Sequence, residues 1–580
     1  MSRKRSGNAS EILLPEATPN STTPRPRTKR NILIFAIISF LTIGSILLAH
    51  TQGHEPYTAE DGARGGRYLL HPEAHVDRQA TTITLGWTVT SGLRRPDGVL
   101  KHVYLINGVF PGPTIEARSG DRVVVKVKNE LVDEELSLHW HGLSMRGWND
   151  QDGAVGITSS PITAGDSFTY DFRIEDTQHG TFWYHAHSAV QRADGLFGGL
   201  VVHKPRSRGS SRSLPAEHLV IVQDWYHRTA GEALEFYTHL GGFGNEPVPD
   251  SILVNGRGAY NCSDAVPARP LDCEPIDDRD ATIELDRNRE NVLRVINAGA
   301  YAGIGLSIEN VVLKPLAVDG GHAVVGTAAS RVKFLHPGER VNVLVEPTII
   351  GDSHLEVTLD SSTFNYPNPA LTPVHHFPVL AYGKPKQRRA GIQKEEMNLQ
   401  ALTSSPASSN ILPSQADMTF VLYSITQKLA RLDNVPHGFI NNTSWRPQLS
   451  PLITMDRALW DKHQFVPHIP YNESSPKWVD LVLNNLDEES HPFHLHGNDF
   501  YVLSKYSSSW NWGSYNPYEQ DQPPGGSYDF ESPLKKDTVL VPRRGYAVLR
   551  FRADNPGIWM LHCHVMWHLA TGMAMAFEVS

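Results

Sequence analysis

Beyond residue 80, short stretches of the chain alternate between apolar and polar positions with a period of two. Thr82–Val89 and Arg122–Lys128 alternate, or run in β-branched residues, as strands do in a sheet with one buried face. Shorter strand-like runs follow at 219–222, 291–296 and 341–345. Turn residues separate these runs, in a chain with 46 Gly and 40 Pro. The pattern predicts an all-β fold made of sandwich units.

One apolar run without charges, 32–49, stands near the N-terminus behind a flank rich in Lys and Arg. It has roughly the 18-residue minimum needed to span a bilayer. A buried core helix is disfavoured because the flank is also rich in Pro, Ser and Thr. The basic flank predicts a cytosolic N-terminus and an exported remainder. We expect an uncleaved signal anchor; cleavage after Ala49 would instead release a secreted protein.

Two polar, Ser-rich stretches, 204–213 and 384–414, have the composition of linkers between domains. A chain of 580 residues is also too long for a single hydrophobic core. The predicted organisation is a disordered basic tail over 1–31, an anchor helix over 32–49, a stem over 50–79, and three domains over 80–205, 214–384 and 416–580.

Charge and cysteine content limit the possible partners and predict one disulfide. The formal net charge of -9 shows no basic excess, so we expect no nucleic-acid partner. Of three cysteines, Cys262 and Cys273 are close enough in an exported chain to predict one local disulfide. Four N-glycosylation triplets agree with export, and they begin at Asn261, Asn441, Asn442 and Asn472.

Histidines concentrate in four short motifs: His139-Trp-His141-Gly, Trp183-Tyr-His185-Ala-His187, His491-Pro-Phe-His494-Leu-His496-Gly and His562-Cys-His564-Val-Met-Trp-His568. A His-x-His pair on a strand places both imidazoles on one face, because side chains alternate. One isolated pair is as well explained by surface or packing histidines, but repeated pairs favour metal. The last motif with Met573 adds the His, Cys and weak axial Met of a blue-copper site.

The motifs also form an internal repeat. Residues 180–196 align with 557–573 in unbroken register, and 139–142 align with 494–497. The eight paired histidines are common to both copies. The last domain has potential copper ligands where the first has Leu136, Ala186, Gln191 and Leu196, and these ligands are His491, Cys563, His568 and Met573. We infer one mononuclear site in the last domain and one histidine cluster shared between the two domains.

The order and spacing of these motifs resemble the three-domain multicopper oxidases, the group of laccases, ascorbate oxidases and fungal ferroxidases. The resemblance implies three cupredoxin-like Greek-key β-sandwich domains and four copper ions. It implies a type 1 copper on His491, Cys563 and His568, with Met573 as the axial ligand. It implies a type 2 copper on His139 and His494, and a type 3 pair on His141, His185, His187, His496, His562 and His564.

The same resemblance implies a copper-dependent oxidase that couples one-electron oxidation of a donor at the type 1 copper to four-electron reduction of O₂ to water. Asp152 matches an acidic residue that assists oxygen reduction in the family; an ordinary turn aspartate is the alternative. Asp224 resembles the acid beside a type 1 histidine that takes up a phenol proton or a metal ion; a strand-end aspartate is its alternative.

We expect a monomeric, laccase-like oxidase of phenolic or aromatic donors, by analogy in pigment or secondary-metabolite formation. Ferroxidase and ascorbate oxidase-like activities are the alternatives. Ferroxidase activity would need acidic residues around the type 1 histidines. A copper-binding protein without turnover is disfavoured because the full set of ligands is present.

Overall fold

The computed structural model describes residues 68–209, 213–276, 282–309, 311–347, 353–383, 395–406 and 412–580. These residues belong to one compact unit, Gly62–Ser580. The predicted basic tail, the anchor and most of the stem lie outside the described residues and stay predictions. Within the described ranges, no helix is long and apolar enough to cross a bilayer.

The first pair of sheets has the strand orders β3-β2-β5-β7 and β4-β9-β8-β6. The predicted alternation is confirmed in β5, where every second residue is buried. Strands in this part of the chain are β1 (Leu69–Leu70), β2 (Thr82–Arg94), β3 (Lys101–Ile106), β4 (Ile115–Arg118), β5 (Arg122–Asn129), β6 (Leu138–His141), β7 (Ser167–Arg173), β8 (Gly180–Ala186) and β9 (Phe197–His203).

The middle pair of sheets has the orders β1-β10-β13-β18-β15-β16-β22, with β11 beside β10, and β12-β20-β19-β14-β17-β21. Its strands after β1 are β10 (Ala216–Trp225), β11 (Ser251–Val254), β12 (Ile283–Asp286), β13 (Asn291–Asn297), β14 (Ile304–Ile308), β15 (Val311–Val318), β16 (His322–Val325), β17 (Arg331–Leu335), β18 (Arg340–Pro347), β19 (Ser353–Leu359), β20 (Val374–Tyr382), β21 (Glu396–Met397) and β22 (Thr403–Ser404). Residues assigned by sequence to the stem and to the second linker thus supply β1, β21 and β22.

The last pair of sheets has the orders β24-β23-β26-β31-β28-β29 and β25-β33-β32-β27-β30. Its strands are β23 (Met418–Lys428), β24 (Pro436–Ile440), β25 (His468–Ile469), β26 (Lys477–Asn485), β27 (His491–Leu495), β28 (Phe500–Ser507), β29 (Leu534–Lys536), β30 (Thr538–Val541), β31 (Gly545–Ala553), β32 (Gly557–Cys563) and β33 (Ala574–Val579).

Two short α-helices accompany the strands in the described part of the chain: α1 (Ala230–Thr238) and α2 (Met566–Ala570). Helix α1 begins with a capping box, in which the Thr229 hydroxyl accepts from the Glu232 amide and the Glu232 carboxylate accepts from the Thr229 amide. Helix α2 follows β32 directly. The predicted all-β fold is therefore confirmed as a mainly β fold with few helices.

The buried core connects the first and last pairs of sheets. One cluster of buried apolar side chains includes Trp140 from the first pair and Trp567 from the last, while a second cluster fills the middle pair. The disulfide predicted between Cys262 and Cys273 is present and confirmed. The shared core fixes β6 and β8 relative to β27 and β32, which carry the histidine motifs.

Candidate metal centres

Strand register brings the histidine pairs of each half together. In the first pair of sheets β6 runs antiparallel to β8, with His139 opposite His185. In the last pair β27 runs antiparallel to β32, with His494 opposite His562. Because alternate side chains of a strand share a face, each His-x-His motif turns both of its imidazoles the same way. Each half thus presents four imidazoles from two adjacent strands and the residues that directly follow them.

The eight paired histidines meet at one buried place between the two halves. His562 Nε2 lies 3.1 Å from His496 Nε2, and His564 Nε2 lies 3.3 Å from His141 Nδ1. His139 Nε2 lies 3.4 Å from His494 Nε2, across the two halves. The possible ligand atoms lie within 4.8 Å of one another in each of three groups: His139, His141 and His494; His141, His185 and His564; His187, His496 and His562.

Backbone and hydroxyl acceptors fix which ring nitrogen faces the cluster. The Asp152 carbonyl accepts from His139 Nδ1, and the Asp537 carbonyl accepts from His494 Nδ1, each at 2.9 Å. Both Nε2 atoms therefore carry a lone pair. The Thr538 hydroxyl donates to the Asp537 carboxylate at 2.8 Å, so it accepts from His141 Nε2 at 3.0 Å. These outer contacts orient imidazoles as metal-binding histidines require.

Copper fits this donor set on two observations. The Nε2 atoms of His185 and His187 are buried and have no hydrogen-bond partner, which native interiors rarely tolerate. Burial, with the neighbouring imidazoles, also lowers the pKa of both side chains well below the ordinary value, which keeps them neutral and able to bind a metal. When bound, the copper ions carry electrons singly from a donor to O₂.

Asp152 is fully buried beside this cluster. Its Oδ2 lies 2.8 Å from His496 Nδ1, and its Oδ1 lies 3.3 Å from His139 Nδ1. Burial alone would raise the pKa of Asp152, but the contacts with His496 and His139 outweigh it and hold the pKa below its ordinary value. Asp152, which the sequence predicts to assist oxygen reduction, therefore lies in contact with two histidines of the cluster.

A second buried group has the composition of a blue-copper site. Cys563 Sγ lies 3.7 Å from His491 Nδ1 and 3.6 Å from His568 Nδ1. The Cys563 amide donates to the Met573 carbonyl at 3.1 Å, which brings buried Met573 beside the group. Burial alone would raise the pKa of the Cys563 thiol, but the contacts with the two imidazoles outweigh this effect and lower the pKa to about 6. The thiolate, which is the form that binds metal, is thus favoured at neutral pH.

Two carboxylates contact the outer nitrogens of these histidines. Glu246 Oε1 accepts from His568 Nε2 at 3.1 Å, and Asp487 Oδ2 accepts from His491 Nε2 at 2.9 Å. The outer contacts thus use Nε2 of each imidazole and leave Nδ1, the atom nearest Cys563, as its possible ligand atom. Sequence reasoning missed both acids. Asp487 could have been found, because it stands four residues before His491 in an acidic run, whereas Glu246 has no local signal.

Asp224, which the sequence predicts to lie beside a type 1 histidine, is buried and hydrogen-bonded to the backbone. Its Oδ1 accepts from the Ala300 amide at 2.6 Å, and its Oδ2 accepts from the amides of Tyr301 and Ala302 at 2.9 Å. Burial raises the pKa of Asp224, against these three hydrogen bonds. The carboxylate therefore holds the 300–302 backbone, while Glu246 is an acid that contacts His568.

A third carboxylate, Glu489, lies close to the same two histidines. Its Oε2 accepts from the Tyr301 hydroxyl at 3.0 Å. Burial and the nearby charge of Glu246 raise the pKa of Glu489 to about 7. Glu489 and Tyr301 line a cavity of about 430 Å³, whose wall includes Phe334 and Val565. Glu488 and Glu489 thus make one side of this cavity acidic.

Family models described as multicopper oxidase match residues 88–207, 216–353 and 426–580, and the chain belongs to this family. It is 30% identical over 514 residues to the iron transport multicopper oxidase fetC of Epichloe festucae, covering 86% of this chain and 76% of that protein. It is 31% identical over 528 residues to Laccase-1 of Cryptococcus neoformans var. grubii, covering 87% and 81%.

Among solved structures, the fold is similar to that of Fet3p, described as a multicopper oxidase that functions in iron import. The TM-score is 0.72 at 23% identity, over 86% of this chain and 90% of that one. The cupredoxin-like multicopper oxidase fold is therefore established, and the chain is a copper oxidoreductase that acts with O₂. Relatives of both kinds, laccases and iron oxidases, are similar to it, so the comparisons leave the donor open.

Proposed function

We propose that this oxidase takes electrons from Fe(II) at a surface formed by Glu246, Asp487 and Glu489. The observation that carries the proposal is that each type 1 imidazole donates its outer N–H to a carboxylate, with a third carboxylate close by. Several oxygen-bearing acids in one place attract a divalent cation and supply hard ligands for it. This is the acidic surrounding that ferroxidase activity requires.

The electrostatics of this surface favour a cation over a neutral donor. Like charges on neighbouring carboxylates disfavour ionisation, and the pKa of Glu489 rises to about 7 because of burial and Glu246. A bound divalent cation would neutralise that repulsion. Four Fe(II) ions supply four electrons, and with four protons these convert one O₂ into two waters. The hydrogen bond from His568 to Glu246 then joins the donor surface directly to a type 1 ligand.

We further propose the ligand assignments that follow from family resemblance. The type 1 copper is held by His491, Cys563, His568 and Met573; the type 2 copper by His139 and His494; the type 3 pair by His141, His185, His187, His496, His562 and His564. Cys563 lies between two cluster histidines in the chain. Electrons accepted at the thiolate site thus have a one-residue path to either side.

Phenolic and aromatic donors are the second candidate, as the sequence predicts. The cavity lined by Tyr301 and Phe334 is large enough for a small ring, and its volume of about 430 Å³ falls within the usual range of ligand sites. Glu489, with a pKa of about 7, could accept the phenol proton. From the sequence, we propose that either reaction occurs outside the cytosol, on a protein anchored in the membrane.

Steady-state kinetics with Fe(II) and with a hydroquinone would decide between the two donors. In Glu246→Gln and Asp487→Asn we expect kcat/KM for Fe(II) to fall about 10- to 100-fold, as loss of an outer carboxylate partner does at other metal sites. Hydroquinone turnover should fall less. Glu235→Gln, an exposed acid on α1, is the matched control and should leave both unchanged. Faster oxidation of hydroquinone than of Fe(II) by the unaltered enzyme would contradict the proposal.

A further inference from the structure

A second group of possible metal ligands lies outside the copper centres, where the first described residues pack on the first pair of sheets. His75 follows the turn Pro72–Ala74, Glu116 is on β4 and His203 is near the end of β9. Their possible ligand atoms lie within 4.8 Å of one another. Strands β4 and β9 are parallel neighbours in one sheet, so this arrangement is built into the fold.

Glu116 is the centre of this group. Its Oε2 lies 2.8 Å from His203 Nε2, and its Oε1 lies 3.1 Å from His71 Nδ1. The ring of His75 stacks on that of His203, with centroids 5.0 Å apart. Ligands of a tetrahedral Zn²⁺ ion, each about 2.0 Å from the metal, are about 3.3 Å apart, so only small shifts are needed. Cluster histidines at the copper centres approach one another equally closely, at 3.1 to 3.4 Å.

The outer contacts of the group also suit a metal. His203 is buried, and its other ring nitrogen, Nδ1, lies 3.8 Å from Glu217 Oε2. Glu217 is itself held by Arg294 Nε at 2.8 Å. A carboxylate on the far side of the imidazole is typical of metal-binding histidines, although 3.8 Å is beyond hydrogen-bonding distance.

The protonation states agree with this geometry. Burial, with neighbouring His203, lowers the pKa of His75 to about 4, so its ring is neutral at neutral pH. Although burial alone would raise it, the contacts with His203 and His71 lower the pKa of Glu116 to about 2.

Arg78 is a cation that touches the group directly. It donates to His75 Nδ1 at 3.1 Å, which shows a lone pair on that nitrogen, and it pairs with Asp121 at 2.5 Å. A metal ion at Nδ1 would replace only the first of these contacts, since Asp121 keeps the guanidinium in place.

We propose that His75, Glu116 and His203, with the exposed His71 as fourth ligand beside Glu116, bind one divalent transition-metal ion of the Zn²⁺ class, separate from the four coppers. Three imidazoles and one carboxylate form a tetrahedral donor set that suits this ion. The ion would join the segment around His71 and His75 to strands β4 and β9. Its role is structural, because it fixes the N-terminal end of the described chain to the first sandwich.

Metal analysis of the full chain, purified in detergent and loaded with copper, tests the proposal. After equilibrium dialysis against micromolar Zn²⁺, we expect one additional zinc per chain, unchanged copper content and a higher thermal midpoint. His75→Ala and Glu116→Gln should each lose the additional zinc and the thermal shift. X-ray absorption at the zinc edge should show imidazole scattering around a nitrogen- and oxygen-bound ion.

His102→Ala is the matched control, because His102 is an exposed histidine on β3 of the same sandwich. It should bind zinc as the unaltered chain does. Copper content and type 1 absorption report folding of each variant. No additional zinc in the unaltered chain would overturn the proposal. So would zinc that persists in both His75→Ala and Glu116→Gln, since it would then occupy another place, such as the carboxylates beside the type 1 histidines.

Discussion

Residues 180–196 and 557–573 each have a strand followed by a short helical turn, but their chemistry differs. In the first segment the Ala186 amide donates to the Leu196 carbonyl at 2.9 Å, and in the second the Cys563 amide donates to the Met573 carbonyl at 3.1 Å. A glycine with positive φ precedes each acceptor residue, Gly195 at 99° and Gly572 at 105°. The two halves of the molecule therefore hold their histidines on equivalent loops.

The difference lies in four side chains. In the first half, the positions equivalent to the type 1 ligands carry Leu136, Ala186 and Leu196, all buried, and Gln191, which donates to the Glu135 carbonyl at 2.9 Å. Three apolar side chains and one amide thus stand where the second half has its proposed ligands. The shared backbone supports the histidine cluster from both sides, while these four positions are where the proposed type 1 ligands of the second half have no counterpart in the first.

The strongest test of this comparison makes the second segment resemble the first. Cys563→Ala removes the thiolate and leaves the residue that the first half has at Ala186. We expect turnover with any donor to fall to background, type 1 absorption to vanish and copper content to drop by one ion per chain. Ala186→Ser, at the equivalent position, should keep most of the activity. Donor oxidation by Cys563→Ala at the normal rate would contradict the assignment of Cys563.

The second-largest effect on activity is expected at the histidine cluster that both halves share. Asp152→Asn keeps the shape of the side chain but weakens its hold on His496, so we expect O₂ reduction to slow about 10- to 100-fold. Anaerobic reduction of the type 1 copper by the donor should be unaffected, because Asp152 does not contact that site. Stopped-flow absorption separates the two steps. Asp150→Asn, an exposed neighbour, is the control; equal slowing of both steps would place Asp152 elsewhere in the mechanism.

Local patterns explain why so much of the two metal centres could be predicted. The His-x-His pairs follow from strand alternation, and the aligned segments reveal which ligands are unique to the last half. Contacts between distant residues could not be predicted in the same way. Glu246 and His568 are 322 residues apart, and Thr538 and His141 are 397 apart. Only folding brings these supporting groups to the ligands.

For Asp224, the limitation is that a local sequence match does not show which groups the side chain contacts. Its position in the chain matched a family acid, but three backbone amides from 300–302 take its carboxylate. No sequence pattern signals amide donors 76 to 78 residues away. Likewise, strands β1, β21 and β22 could not be predicted, because the predicted stem and second linker are polar and these strands are too short to show alternation.

The smallest expected effect concerns the axial position. Met573→Leu gives the second half the residue that the first half has at Leu196. Because a thioether donates weakly to Cu(II), its loss should raise the reduction potential of the type 1 site while copper stays bound by His491, Cys563 and His568. Redox titration of the type 1 absorption measures the shift. We expect only a modest change in turnover, since electrons still pass through Cys563.

Leu196→Met is the reciprocal change and the control. Leu and Met have similar volumes, so the exchange should cost less than about 1.5 kcal/mol of folding free energy. It should add no copper and leave the potential unchanged, because Ala186 offers no thiolate beside it. Additional copper in Leu196→Met would mean that one substitution is enough to create a copper site in the first half. The other three differences between the halves would then not be needed to explain why the first half lacks one.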